Sequence, residues 1–327
     1  MAANEGVATI EPAPTRVRAL AGELLGVRPA DVLFTTSTTD GVGLVTAGIA
    51  WRPSDRVVVA DCEFVSNLYP WLALRDRGVR VDVVRLDEMH DAIRTGRAPT
   101  VAAVSWVQYA RGERTELAAL ADAVHWRGGL LVADVVQGAG VLPCTLADWG
   151  VDVGVAGAHK WLLGPVGVAL AFVSEDARNR IRPVAPGWAS VTPHDDYDDY
   201  TFELLPDARR FEGGTLADGL ISAMGASIRL LLDAGIAAVW RHVDDLCEHL
   251  IAGLPSRAHV LSDRTRTGRS GIVTVALDGV ESAAAVRRLL DDGIEVRCRG
   301  GGVRIAPHGY TSTDDVDALL AALHAFS

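Results

Sequence analysis

Short, largely apolar runs recur through the first half of this chain, at residues 57–60, 79–86, 102–105, 130–133, 151–155 and 166–173. At 57–60 and 130–133 no polar residue interrupts the run. Strands buried on both faces of a parallel sheet read this way, whereas a strand with one wet face alternates. Between the runs the spacing becomes helical. Val17, Leu20, Ala21 and Leu24 mark a helix over 16–25 that stops at Gly26, and 117–126 has the spacing of a crossover helix. A short strand at 32–34 leads through TTSTTDGVG into a helix that runs to Ile49. The alternation predicts an α/β fold with a mainly parallel sheet flanked by helices, and ligands at the carboxyl ends of its strands.

Beyond Phe172 the pattern loosens. Pro183, Pro186, Pro193 and the acidic run DDYDDY read as solvated loop. Residues 221–254 then carry long helical periodicity, followed by a strand at 271–277, a helix at 283–290, strands at 294–297 and 303–305, and a final amphipathic helix from Thr313. This divides the 327 residues into an N-terminal arm (1–15), a large domain (16–222), and a linking helix with a small C-terminal α+β domain (223–327). There is no internal repeat.

A net charge of -11 argues against a nucleic-acid partner, which would call for a basic patch. Cys62, Cys144, Cys247 and Cys298 show neither metal-ligand spacing nor a disulfide framework. A reducing cytoplasm fits, and the absence of a signal-like start or a membrane-length apolar run leads to the expectation of a soluble, cytoplasmic protein.

The chemistry concentrates in LLVADVVQGAGVLPCTLADWGVDVGVAGAHKWLLGPVGVALAF, residues 130–172. Lys160 stands on a turn between two buried strands, and Asp134 ends a neighbouring one. A buried ammonium costs several kcal/mol unless it is paired or neutral. A Schiff-base lysine resolves that conflict, since burial lowers its pKa and an aldehyde cofactor condenses with it. Pyridoxal phosphate (PLP) is such an aldehyde, and its ring nitrogen takes a carboxylate partner, the role that fits Asp134. For either residue alone, a solvated loop lysine or a helix-capping aspartate is the plainer reading.

In order, DVVQ, AHKWLLGPVG, RRFEGGT and VRIAPHGY resemble the class V aminotransferases, the PLP fold-type I group that includes cysteine desulfurases and isopenicillin-N-epimerase-like proteins. The resemblance runs from about Arg16 to the C-terminus. It implies a PLP enzyme acting on a small amino acid, with Lys160 holding the cofactor and then serving as base, and Asp134 on the ring nitrogen. It further implies Gln137 on the cofactor's phenolic oxygen, Thr38 and Thr39 on its phosphate, and His159 on phosphate or ring. Phe64 occupies the place of a ring-stacking histidine, Tyr109 could reach the cofactor's phenolic oxygen or the substrate, and Arg304 would grip the substrate carboxylate. Gly214 and Thr215 would reach the phosphate of a partner subunit, so a homodimer is implied. Compared with the family, the chain starts late, which leaves the walls of the substrate pocket open.

In desulfurases a mobile loop carrying a nucleophilic cysteine precedes the carboxylate arginine. Here only Cys298 and a handful of residues, with Gly300 to Gly302 forming a tight turn, fill that interval. Aminotransferase or epimerase-like chemistry is therefore the first expectation, β-elimination or carbon–sulfur cleavage the second, and a non-catalytic partner subunit the third.

Overall fold

The computed structural model describes residues 12–192 and 198–326. The expected arm, as far as residue 11, and the start of the acidic run lie outside these. The elements of the large sheet and its helices are α1 (Ala13–Leu25), β1 (Val32–Thr35), α2 (Thr38–Gly48), β2 (Arg56–Ala60), α3 (Tyr69–Leu72), β3 (Arg80–Val84) and α4 (Met89–Arg94). They continue with β4 (Val101–Ser105), α5 (Leu117–Trp126), β5 (Leu130–Asp134), β6 (Val153–Gly157), β7 (Ala169–Val173) and α6 (Glu175–Arg180). Then come α7 (Asp218–Ala234), α8 (Ile236–Ala252), β8 (Ala258–Val260), β9 (Val273–Leu277), α9 (Ser282–Asp291), β10 (Arg297–Arg299), β11 (Gly302–Ile305) and α10 (Thr313–His324).

The large sheet has seven strands in the order β1-β7-β6-β5-β4-β2-β3. From β3 to β6 the pairings are parallel; β7 and β1 close one edge antiparallel. Successive side chains point to opposite faces, and here both faces are dry. Val58, Ala102, Val104, Leu131 and Ala133 join one core with α1, α5 and α7. Val57, Val59, Val101, Leu130 and Val132 join a second with α2, α3 and α6. That is the reason the sequence shows unbroken apolar runs instead of alternation.

The smaller sheet is wholly antiparallel, in the order β10-β11-β9-β8. The boundary expected at residue 222 falls within α7, and α7 and α8 connect the two sheets. The single helix expected over 221–254 is instead a pair meeting at 79°. Gly235, with φ of 79°, breaks it in a conformation that residues with a Cβ rarely adopt. Among the described residues no single helix is long and apolar enough to cross a membrane.

Other boundaries move for local reasons. The first helix starts at Ala13, with Pro14 in its first turn where a missing N–H costs nothing, so it absorbs the end of the expected arm. Strand β6 starts at Val153, and the carboxylate of Asp152 just before it accepts bonds from Leu131 N–H and Ser174 Oγ and contacts His125 Nε2. The strand expected at 294–297 lies at Arg297–Arg299, its register set by the turn at Gly300 and Gly301.

Candidate active site

Asp134 ends β5 and is registered opposite Val155 of β6, whose last residue lies three positions before Lys160. The carboxylate is 3% exposed and accepts a 2.9 Å bond from the Val136 N–H. Burial pushes its pKa up to about 7, against the Val136 bond and the attraction of Lys160. At Lys160 burial acts the other way and lowers the pKa, opposed by Asp134 and assisted by Arg304. A buried acid held partly protonated thus accompanies an amine whose pKa is lowered, the direction a nucleophilic lysine requires.

Phe64 and Tyr109 form a wall of this site. Their rings meet edge to face at 5.2 Å, and Lys160 Nζ lies 5.5 Å from the Phe64 centroid. Trp106 takes no part in this wall; it is buried against Trp149 and would meet any Cβ placed on Gly138. Arg304, on β11, donates from Nη1 to the Tyr109 carbonyl at 2.7 Å. Its Nε–H is buried with no partner among the described residues, and burial, with Arg299 and Arg297, lowers its pKa. An unpaired buried donor on a guanidinium is costly, and a carboxylate would satisfy it.

On another side stands the N-terminus of α2, capped by Ser37, with Thr38 as its first residue. A Cβ on Gly157 would lie 3.3 Å from both Thr38 Oγ1 and His159 Cε1. The glycine therefore leaves a small hollow between a hydroxyl, an imidazole and a helix terminus, the setting in which an oxyanion is held. Burial lowers the His159 pKa, as does Lys160. Thr39 is exposed and lines a separate surface depression with Asp40, Leu44 and Val184. Gly214 and Thr215 follow Glu212, whose carboxylate forms a buried pair with Arg18 and also accepts from Phe34 N–H. Among the described residues, no bond or ring contact brings those two to Lys160.

Three participants carried no role in the sequence reading. Glu63 is buried, with bonds from Ser105 N–H, Ser105 Oγ, Gln108 Nε2 and Asn67 Nδ2. Burial raises its pKa against those four donors. Trp161 donates from Nε1 to Gln137 Oε1 at 3.1 Å, and His308 stacks on Trp161 at 4.9 Å. A tryptophan directly after the lysine was the one local hint.

These residues fit PLP: a sealed carboxylate without a cation in bonding contact, a lysine of lowered pKa, an amide nitrogen on Gln137 with no partner among the described residues, and the hollow at Gly157.

The sequence profile described as Aminotransferase class-V matches residues 7–319. A probable cysteine desulfurase of Methanothermobacter thermautotrophicus is 29% identical over 316 residues, covering 88% of this chain and 77% of that protein. The uncharacterized aminotransferase YcbU of Bacillus subtilis is 26% identical over 301 residues, covering 90% and 78%. Among solved structures, the cystine C–S lyase C-DES in complex with its product cysteine persulfide superposes with a TM-score of 0.87 at 22% identity, covering 96% of this chain and 87% of that one. The apo cysteine desulfurase of Thermococcus onnurineus NA1 gives 0.85 at 22% identity, covering 95% and 82%.

Proposed function

The chain belongs to the class V aminotransferase family of PLP-dependent enzymes, and on that premise we propose that it cleaves the carbon–sulfur bond of a small sulfur-bearing amino acid by β-elimination. The desulfurase and C–S lyase names among its relatives favour this over the transamination or epimerisation expected first. The observation that carries the choice of a lyase over a protein-thiol desulfurase is the placement of Cys298. It sits inside the β10–β11 hairpin opposite Val303, and Arg111 Nε donates to the Gly300 carbonyl in the turn. Burial pushes the thiols of Cys62, Cys144 and Cys247 up to about 12. A thiol in that range is not a nucleophile near neutral pH.

PLP, when bound, supplies the electron sink that acidifies the substrate Cα. Asp134 would hold a proton on the ring nitrogen. Gln137 would turn its amide nitrogen to the phenolic oxygen, and Thr38 and His159 would hold the phosphate at the Gly157 hollow, while Phe64 would cover the ring. Arg304 and Tyr109 orient the substrate carboxylate and exclude water from one side. Lys160 Nζ, its pKa lowered by burial, takes the Cα proton. The Cβ–S bond then breaks with its electron pair leaving on sulfur, and that sulfur is protonated. In sum, R–S–CH2–CH(NH3+)–COO− and water give R–SH, pyruvate and ammonium. Gly214 and Thr215 act on a second copy's phosphate in this reading, which therefore includes a homodimer.

The test is incubation of the purified holoprotein with cysteine, cystine and S-alkyl cysteines. Pyruvate and the sulfur product are expected in equal amounts, and Lys160→Ala loses both turnover and the visible band of bound cofactor. Amino transfer to a keto acid with no pyruvate formed would overturn the proposal.

A further inference from the structure

Gln137 has one limb of its amide engaged. Its Oε1 accepts from Trp161 Nε1 at 3.1 Å in a buried contact, and this is the one side-chain bond Gln137 makes among the described residues, which leaves Nε2 for an acceptor in the site. An indole N–H can only donate, so the limb it meets must be the carbonyl. The amide is planar, and fixing the carbonyl limb turns the NH2 limb the other way.

The indole is itself held. Trp161 is 5% exposed, and His308 packs over its ring at 4.9 Å and 23°. Tyr310 continues the stack on His308 at 4.8 Å. A Cβ on Gly271 would come 2.8 Å from Trp161 Cη2, so the small-sheet side closes on the far edge of the ring. Gly309 N–H donates to His308 Nδ1, which fixes the neutral imidazole with its proton on Nε2.

We propose that Trp161 is a positioning residue for the cofactor: its N–H locks the Gln137 amide so that an N–H, and never the carbonyl, faces the phenolic oxygen. This rests on PLP lying against Asp134 and Lys160 as read above. A free glutamine would present either limb, and a carbonyl against a phenolate oxygen sets two acceptors face to face. Donation to that oxygen favours its anionic form and lowers the pH at which the bound cofactor's visible band titrates. Without the donor, that midpoint rises.

The experiment is a double-mutant cycle on the holoprotein, read by the pH midpoint of the band. Trp161→Phe keeps a ring for His308 to stack on and removes only the donor. Trp161→Phe and Gln137→Ala should each raise the midpoint, by about one unit or a tenfold change in the proton equilibrium. Together they should raise it no further than Gln137→Ala alone. Additive shifts, or an unmoved midpoint in Trp161→Phe, would overturn the proposal. Wild-type protein whose band does not titrate would overturn it together with the reading beneath it.

A second measurement needs neither cofactor nor a Trp161 variant. In cofactor-free protein labelled with 15N at indole nitrogens, Gln137→Ala should shift the Trp161 Nε1–H resonance and speed its exchange with solvent. An unchanged resonance and exchange rate would mean that the two side chains are not bonded, and would overturn the proposal as well.

Discussion

Cys298 faces Val303 across the ladder of the β10–β11 hairpin. The turn that joins the two strands is the pair Gly300 and Gly301, with φ of 60° and 85°. Two successive positive φ values are what a two-residue hairpin turn needs. A Cβ on Gly300 would come 2.7 Å from Arg111 Cγ, so this turn is packed against the 110–111 segment as well as bonded to it. A thiol that accepts sulfur must swing to within bonding reach of the substrate. Cys298→Ser should therefore keep most of its turnover, within about twofold, and mass spectrometry should find no persulfide on Cys298 after incubation with cysteine. Trapped persulfide on that residue with lost turnover in the variant would restore the desulfurase.

The Asp134 carboxyl makes cofactor-free protein sensitive to pH. Its folded pKa of about 7 lies above an unfolded value of about 3.9. Between those values the folded state binds more protons, so stability is lost as pH rises from about 4 to about 7. Asp134→Asn removes the ionisation. In cofactor-free protein it should raise stability at pH 8 by on the order of 4 kcal/mol, with the gain shrinking toward pH 5. Urea denaturation at the two pH values measures this, and an equal effect at both would show that the carboxyl does not titrate in this window.

Glu212 binds Arg18 through both oxygens, at 2.9 and 2.6 Å, with both side chains buried. It ties the RRFEGGT segment to α1 and, through Phe34 N–H, to β1. Glu212→Ala leaves a buried guanidinium without its carboxylate, which costs about 3–5 kcal/mol. A fall in the urea midpoint at unchanged m-value is expected; a loss under 1 kcal/mol would mean water reaches Arg18 freely.

His125 contacts Asp152 at 2.7 Å, and that bond raises the imidazole pKa against the opposing effect of burial. Stability from the pair is fully present below the unfolded histidine value of about 6.5 and is lost as pH rises through the higher folded value. Because the ring is 41% exposed, solvent screening holds the contribution to no more than about 1 kcal/mol. His125→Gln should lower the melting temperature at pH 5.5 and make little difference at pH 9. A larger deficit at pH 9 would reverse the assignment.

Local pattern alone determined a good part of this protein. Unbroken apolar runs at 57–60 and 130–133 required a sheet dry on both faces, since a wet face would have forced alternation. The place of Asp134 at the end of one strand and of Lys160 on the turn after another followed from where those runs stop, and the glycines after Cys298 announced a tight turn. What the tertiary structure decided are pairings between residues far apart in the chain. Arg304 reaches the Tyr109 carbonyl 195 positions away, Glu63 gathers Ser105 and Gln108 from a neighbouring strand and loop, and Trp161 meets Gln137 across the site. Periodicity tells which face a residue points to, because that depends only on backbone geometry. It carries no term for which distant side chain will meet it there, and that is set by how strands are ordered in the sheet and how the second sheet packs against the first.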